Sequence, residues 1–417
     1  MNTSTPHTAG PLLDRSDVRV KHAASLGDVV AAFIGRVKSG DLGSLPVIVG
    51  LVIIWSVFTA LNPVFLSPNN LVNLLFDCST VGVIALGIVC VLMLGQIDLS
   101  VGSMSGFASA LVGTLWVNQG WPVLGAIAAA LAVGAAFGAL YAALLNRLGM
   151  PSFVTTLAGL LAILGMQLYV LGPSGSINLP YGATLVDFGQ LMIIPTPVSF
   201  ALAVLPGLVI LMGGLRTRQR RSAAQLSAPS LAGLLARSGA LTVLLVAVVA
   251  YLSQGRGVPL MFGLFLGLAV LMQYALTRTK WGRSMFAVGG NPEAARRAGI
   301  SVKGIYTSAF MLCASLAALG GVLGAARLAS SSQQAGTGDV NLNAIAAAVI
   351  GGTSLFGGRG SAYSAVLGII VIQSIASGLT LLNLSSSLRF MITGAVLAIA
   401  VIVDSLARQS RVSHGRA

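Results

Sequence analysis

The 417-residue chain is 56% hydrophobic and only 8% charged, with a mean hydropathy of +0.91, where soluble domains carry roughly 25% charge. These values exclude an ordinary soluble globular protein and define a polytopic membrane chain. Its formal charge of +14 would suggest nucleic acid in a soluble protein, so the placement of the basic residues decides what that charge means.

Residues 1–44 are polar and mixed in charge and have no apolar core of the kind a cleaved signal peptide needs, so they are expected to remain in the mature chain. Within them Leu26, Val29, Val30, Phe33, Ile34 and Val37 recur at helical spacing against Asp28, Arg36 and Lys38. That pattern predicts an amphipathic helix lying on the cytoplasmic membrane surface.

From residue 45 the chain reads as an all-α membrane domain extending to 406. Runs long enough for a bilayer, which takes roughly 20 apolar residues, cover about 45–66, 71–95, 98–118, 122–145, 152–172 and 192–214. A second set covers 236–253, 258–276, 305–325, 342–356, 362–382 and 388–406, giving about 10 to 12 transmembrane segments. The 342–356 run is short and flanked by glycine, which suits a re-entrant segment as well as a span. With a cytoplasmic N-terminus, the segments 1–44, 146–151, 215–240, 277–304 and 357–361 and the tail 407–417 all face the cytoplasm. They hold 21 of the 24 Lys and Arg residues, and only Arg256, Arg327 and Arg389 fall elsewhere. The basic excess is therefore a topology signal of the positive-inside kind, with no nucleic-acid partner.

Two motifs interrupt the apolar runs. The first is Gly95-Gln96-Ile97-Asp98-Leu99-Ser100-Val101-Gly102-Ser103. Asp98 is one of very few acidic residues near the membrane, and a carboxylate there is costly enough to be a functional candidate. Asp98 or Ser100 could also cap a new helix by accepting from free backbone N–H groups, and capping and contact with solute can coexist at a break that lines a cavity. A related pattern returns in Val349 to Ser361, with Thr353 and Ser354 in the corresponding place. Asp98, Ser100, Ser103, Thr353 and Ser354 are the candidate pathway residues, and the repetition suggests two related halves meeting at a central path.

The only glutamate in the chain, Glu293, lies in Gly289-Gly290-Asn291-Pro292-Glu293-Ala294-Ala295-Arg296-Arg297-Ala298-Gly299. Asn291 suits an N-cap, Pro292 the first helical position, Glu293 the positive end of the dipole and Arg296 and Arg297 the last turn. Gly299 can take the left-handed conformation that stops the chain. A two-turn helix over 292–298 is too short to persist alone, so it leans on its own membrane domain or on a partner.

Catalytic chemistry is not visible. The histidines, His7, His22 and His414, are confined to the tails, and none of the four lysines, Lys21, Lys38, Lys280 and Lys303, follows a glycine as in a phosphate-binding loop. Cys78, Cys90 and Cys313 lie in or near apolar runs without metal-ligand spacing and read as packing residues. Uphill transport would then draw energy from another subunit or from an ion gradient, the latter with Asp98 or Asp77 titrating during the cycle. Gly134 and Gly138, Gly263 and Gly267, and Gly320 and Gly324 place small residues four apart, a pattern for close helix packing.

Ile97 to Ser103, Gly289 to Gly299 and Gly351 to Ser361, taken in this order and at these separations, resemble the recurring motifs of ribose- and xylose-type sugar ABC-transporter permeases. Pro151 to Gly159 fits as well. The resemblance covers about 45–406, and the extra hydrophobic pair near 236–276, with Arg216 to Arg221 before it, is similar to the longer xylose form. It implies the membrane subunit of an importer in the bacterial inner membrane. Such a subunit pairs with a second copy, docks a cytoplasmic ATP-binding subunit that carries the ATP, and receives sugar from a periplasmic binding protein. It also implies that 277–304 is the coupling loop, with Gly290, Asn291, Glu293, Arg296 and Arg297 at the ATPase, and that a pentose such as D-xylose crosses by alternating access. The binding protein would dock near the loops 173–191 and 325–341. The family supplies no catalytic residue.

Overall fold

The computed structural model describes residues 45–385 and, beyond them, residues 387, 388, 391, 392, 394, 395, 398 and 402. The N-terminal segment 1–44 with its expected amphipathic helix, much of the 388–406 run and the 407–417 tail lie outside the described residues. The helices are α1 (Leu45–Leu61), α2 (Pro68–Leu92), α3 (Val101–Val112), α4 (Val123–Leu148), α5 (Ser152–Leu171), α6 (Thr184–Gln190), α7 (Thr196–Ala223) and α8 (Leu231–Leu252). They continue as α9 (Leu260–Arg278), α10 (Lys280–Gly290), α11 (Pro292–Arg297), α12 (Val302–Leu328), α13 (Val340–Ile350) and α14 (Ala362–Leu381). The strands β1 (Ser176–Asn178) and β2 (Ser330–Ser332) pair antiparallel.

Eight of these helices, among the described residues, are long and apolar enough to cross a membrane: α2, α4, α5, α7, α8, α9, α12 and α14. Among the described residues, three runs expected from hydropathy fall outside these eight, the first being 45–66, which holds the seventeen-residue α1. The 98–118 run is divided into the twelve-residue α3 and a six-residue π-helical turn, Gly113–Asn118, while the 342–356 run is helical only as far as Ile350. Eleven residues extend about 16 Å at 1.5 Å each, half of the ~30 Å hydrocarbon thickness, so α13 is a half-length helix.

The protein divides into two units, and residues 195–254 form the smaller one. It is the α7–α8 hairpin, in which Gly207 lets the two helices approach: a Cβ there would overlap the Thr242 hydroxyl. The basic stretch expected to be a loop from 215 is instead the last turns of α7. Arg218 and Arg221 donate to the Pro229 and Ser227 carbonyls at 2.8 and 2.6 Å, which ties the connecting turn to the helix end.

In the larger unit the most buried spans are α2 and α12, and α3 is buried along almost its whole length. Glycine explains how α4 meets α12. A Cβ on Gly134 would stand 2.7 Å from the Ala314 carbonyl oxygen, and one on Gly138 would overlap the backbone at Phe310 and Met311, so both members of this spaced pair serve backbone-to-backbone packing. In the other two expected pairs only Gly263 and Gly320 face a neighbour, while Gly267 and Gly324 have open space. Cys78, Cys90 and Cys313 are all buried.

Candidate functional site: a junction of two helix breaks and the 277–304 segment

Both motifs that interrupt the apolar runs end a helix by the same device. At the end of α2, Gln96 N–H donates to the Val91 carbonyl and Gly95 N–H to the Leu92 carbonyl, with Gly95 left-handed at φ +68°. After α13, Thr353 N–H donates to the Ala348 carbonyl and Gly352 N–H to the Val349 carbonyl, with Gly352 at φ +104°. The paired six-to-one and five-to-two bonds around a left-handed glycine are the Schellman pattern. The sequence likeness of the two breaks thus has a shared backbone geometry behind it.

Past Gly95 the chain has no regular structure as far as Ser100 and is held from two other helices. Ser152 and Thr156, on the first turns of α5, accept from Ile97 N–H at 3.3 Å and Leu99 N–H at 3.1 Å. Asn341, on the first turn of α13, donates to the Leu99 carbonyl at 2.7 Å. These bonds satisfy backbone groups that would otherwise be stranded inside an apolar bundle.

Asp98 is fully buried. Its Oδ1 accepts from the Ser100 N–H at 2.8 Å and the Ser100 hydroxyl at 2.7 Å, so it fixes the turn that launches α3. Its Oδ2 has no hydrogen-bond partner, and the Cys313 thiol lies beside the carboxyl group. The Tyr141 hydroxyl, also without a partner, sits beside Ser100 and against Gly159, where a Cβ would overlap it. The carboxylate is therefore both a local cap and the centre of a buried polar cluster contributed by α4, α12 and the break. Ser103 is buried on α3. Thr353 is buried with an unpartnered hydroxyl, while Ser354 shapes its own loop, accepting from Phe356 N–H at 3.2 Å.

The segment 277–304 consists of two helices. Thr279 caps α10 by accepting from Gly282 N–H at 3.2 Å, and Trp281 Nε1 donates to Ser308 of α12 at 2.8 Å. The two-turn helix expected over 292–298 is α11, Pro292–Arg297, whose cap Asn291 accepts from Ala294 N–H at 2.9 Å. Glu293 pairs with Arg296 at 2.8 Å and with Arg297 at 3.3 Å, all three exposed. One side of α11 is buried through Ala295, and Gly299 is left-handed at φ +82°. Gly290, Asn291, Glu293, Arg296 and Arg297 are thus gathered on one exposed element.

This segment meets both breaks. Gly289, in the last turn of α10, lies against the Met93 carbonyl, and a Cβ on it would overlap that oxygen and stand 2.8 Å from Gly358 N. Gly358 N–H donates to the same Met93 carbonyl at 2.9 Å. A Cβ on Gly357 would lie 2.7 Å from the Gly289 carbonyl oxygen and 2.9 Å from Gly95 N. Three motifs that are not neighbours in sequence come together backbone to backbone. Tyr306 of α12 lies beside Gln96, near enough to Arg296 to feel its charge.

A second polar cluster joins segments that carry basic residues outside the main basic loops. Arg327 at the end of α12 pairs with Asp77 of α2 at 2.9 Å and reaches Asn73. Arg256 also bonds Asn73, and both guanidinium groups lie over the Phe76 ring, at 5.7 Å for Arg256 and 5.0 Å for Arg327. The loops 173–191 and 325–341 are joined here by the β1–β2 pairing and by Gln190, which donates to the Arg327 carbonyl at 3.0 Å.

A bundle of apolar helices with paired breaks and a helical segment seated on both is the arrangement of a multi-pass membrane permease. The family described as branched-chain amino acid transport system / permease component matches residues 70–401, and the chain belongs to it. The chain is 33% identical over 374 residues to the xylose transport system permease protein XylH of Escherichia coli (strain K12), covering 89% of this chain and 94% of that protein. It is 31% identical to the xylose transport system permease protein XylH of Haemophilus influenzae, over 89% of this chain and 98% of that one. It is also 30% identical to the ribose import permease protein RbsC of Escherichia coli (strain K12), over 86% of this chain and 92% of that one. No solved structure gave a significant match.

Proposed function

We propose that this chain is the membrane-spanning subunit of an ATP-driven importer of a monosaccharide, with D-xylose or a related pentose as cargo. The family description names amino acids, but the full-length relatives at 30–33% identity are named for xylose and ribose, which supports a sugar. The observation that carries the reading is the junction of Gly289, Met93 and Gly358. A force on the exposed α11 reaches both helix breaks through that junction without an intervening flexible side chain.

In this reading the 277–304 segment faces the cytoplasm, and Asn291, Glu293, Arg296 and Arg297 meet an ATP-binding subunit that carries the ATP. A second permease copy completes the pathway, membrane lipid surrounds the bundle in the inner membrane, and a periplasmic sugar-binding protein docks at the loops 173–191 and 325–341. Closure of the ATPases moves α10 and α11, and the breaks at Asp98, Ser100, Ser103, Thr353 and Ser354 open to alternate sides.

The test is a pull-down of the tagged chain from gently solubilised native membranes, with co-purifying proteins identified by mass. A stoichiometric soluble subunit with a phosphate-binding loop, together with ATP-dependent D-xylose uptake by the reconstituted complex, is the expected result. Recovery of the folded chain alone, with uptake that follows an ion gradient, would replace this reading by an ion-coupled transporter centred on Asp98.

A further inference from the structure

Gln273 lies on α9, one turn before the chain turns into α10, and reaches across to the loop that precedes α14. Its Oε1 accepts from the Ser361 hydroxyl at 2.9 Å and from the Ala362 N–H at 2.9 Å. Ser361 in turn accepts from Tyr363 N–H at 3.2 Å, so the first turn of α14 is capped jointly by its own serine and by a glutamine 89 residues away from Ala362. A helix of this length is ordinarily capped from within its own flanking sequence. Borrowing an acceptor from α9 fastens the start of α14 to the root of the 277–304 segment.

The same segment is fastened to that loop at a second point, by a different contact. Gly289 sits within van der Waals distance of Gly358, whose N–H is bonded to Met93. The Gly351–Ser361 loop is therefore held at two points, at Ser361 by α9 and at Gly357 and Gly358 by α10. An element fixed at two points moves with its support, whereas one fixed at a single point can pivot about it.

We propose that Gln273 is a positioning residue of the transport cycle, transmitting displacement of the α9–α10 corner to α14. The inference rests on the ATP-driven reading above. In the resting arrangement the amide oxygen holds the α14 start in register with the corner. When the corner is displaced, α14 follows because breaking the link would leave the buried Ala362 N–H without its acceptor. Glutamate at this position keeps an acceptor oxygen and places negative charge at the N-terminus of α14, where it is favourable. Leucine keeps the bulk and removes the acceptor.

The experiment uses the complex purified from native membranes and reconstituted in lipid vesicles. Because Cys78, Cys90 and Cys313 are buried, a single Tyr363→Cys change at an exposed position can be read by the rate of reaction with a water-soluble maleimide. In the Tyr363→Cys background ATP is expected to change that rate about fivefold or more, the lower range for coupled sites. The change is lost in Gln273→Leu and restored in Gln273→Glu. If Gln273→Leu does not accumulate, Ser361→Ala removes one of the two bonds from the other side and is expected to halve the response or more, by about twofold at least. An undiminished ATP response in Gln273→Leu or Ser361→Ala, or no ATP response in the parent complex while ATP-driven uptake persists, overturns the inference. Absence of any ATP-driven uptake in the unmodified complex overturns the importer reading instead.

Discussion

The α-carbon of Gly289 rests on the carbonyl oxygen of Met93, leaving no room for a side chain between them. Gly290, the next residue, has nothing within 4 Å of where a Cβ would lie. The two neighbouring glycines therefore make opposite predictions. Gly289→Ala forces the end of α10 away from the first break and from Gly358, an overpacking that costs about 1–3 kcal/mol. Uptake by the reconstituted complex is expected to fall about tenfold or more, while Gly290→Ala stays within about twofold of the parent. Equal uptake by the two variants would remove the junction from the transport mechanism.

Asp98 separates a capping role from a titrating one. Asparagine keeps Oδ1 as acceptor for both Ser100 groups and presents an amide to the Cys313 sulfur, a weak acceptor. Alanine leaves the Ser100 N–H and hydroxyl buried and unpaired, at about 1–3 kcal/mol for each group. Asp98→Asn is thus expected to transport near the parental rate, with Asp98→Ala assembled but slower by about tenfold or more. Uptake rates and the thermal midpoint of the detergent-solubilised complex measure both. An Asp98→Asn variant as slow as Asp98→Ala would show that the carboxyl group's charge or proton is required, as an ion-coupled cycle demands.

Much of this arrangement was open to reading before any coordinates, and the part that was not has a common cause. Asn291, Pro292, Glu293 and Gly299 announce α11 because capping and dipole preferences act within one or two turns. Gly95 and Gly352 mark the breaks for the same local reason. Ser152, Thr156, Tyr141, Asn341 and Gln273 carried no such signal. Each is an uncharged polar side chain whose neighbours across the fold lie far off in sequence, 242 residues away for Asn341 and Leu99. Ser152 and Thr156 fall within the recognised Pro151–Gly159 stretch, but nothing in their spacing says that they hold the Ile97–Leu99 backbone. Hydropathy also does not show the change from α-helix to a π-helical turn at Gly113 or the end of α13 at Ile350, since a window registers apolar content and not where the hydrogen-bond ladder changes or stops.

Glu293 is 55% exposed and pairs only with Arg296 and Arg297 of its own helix. Exposed pairs of this spacing contribute about 0.3–0.5 kcal/mol, so Glu293→Ala is expected to leave the thermal midpoint of the isolated permease almost unchanged. If α11 docks the ATP-binding subunit, the same substitution weakens that contact by about tenfold or more, because a charge buried on docking is lost. Titrating solubilised permease with the purified ATPase measures it directly. A variant that binds the ATPase with parental affinity and couples normally would exclude Glu293 from the interface.

Asp77 and Arg327 join α2 to α12 beside Asn73, whose Oδ1 accepts from both Arg327 and Arg256. The Arg327 side chain is 21% exposed and Asp77 47%, a setting between a free surface pair and a buried one. A surface pair contributes little, and removing one member of a buried pair is severe because the other charge is stranded. Asp77→Ala is therefore expected to destabilise more than Asp77→Ala with Arg327→Ala together, since the double change removes the stranded guanidinium while Arg256 still occupies Asn73 and Phe76. A double-mutant cycle on the thermal stability of the solubilised complex should give an interaction energy of about 1 kcal/mol, within the 0.5–3 kcal/mol range of contacting residues. Strict additivity of the two single changes would mean that the pair does not hold α2 to α12, and that Asn73 and the Phe76 ring position Arg327.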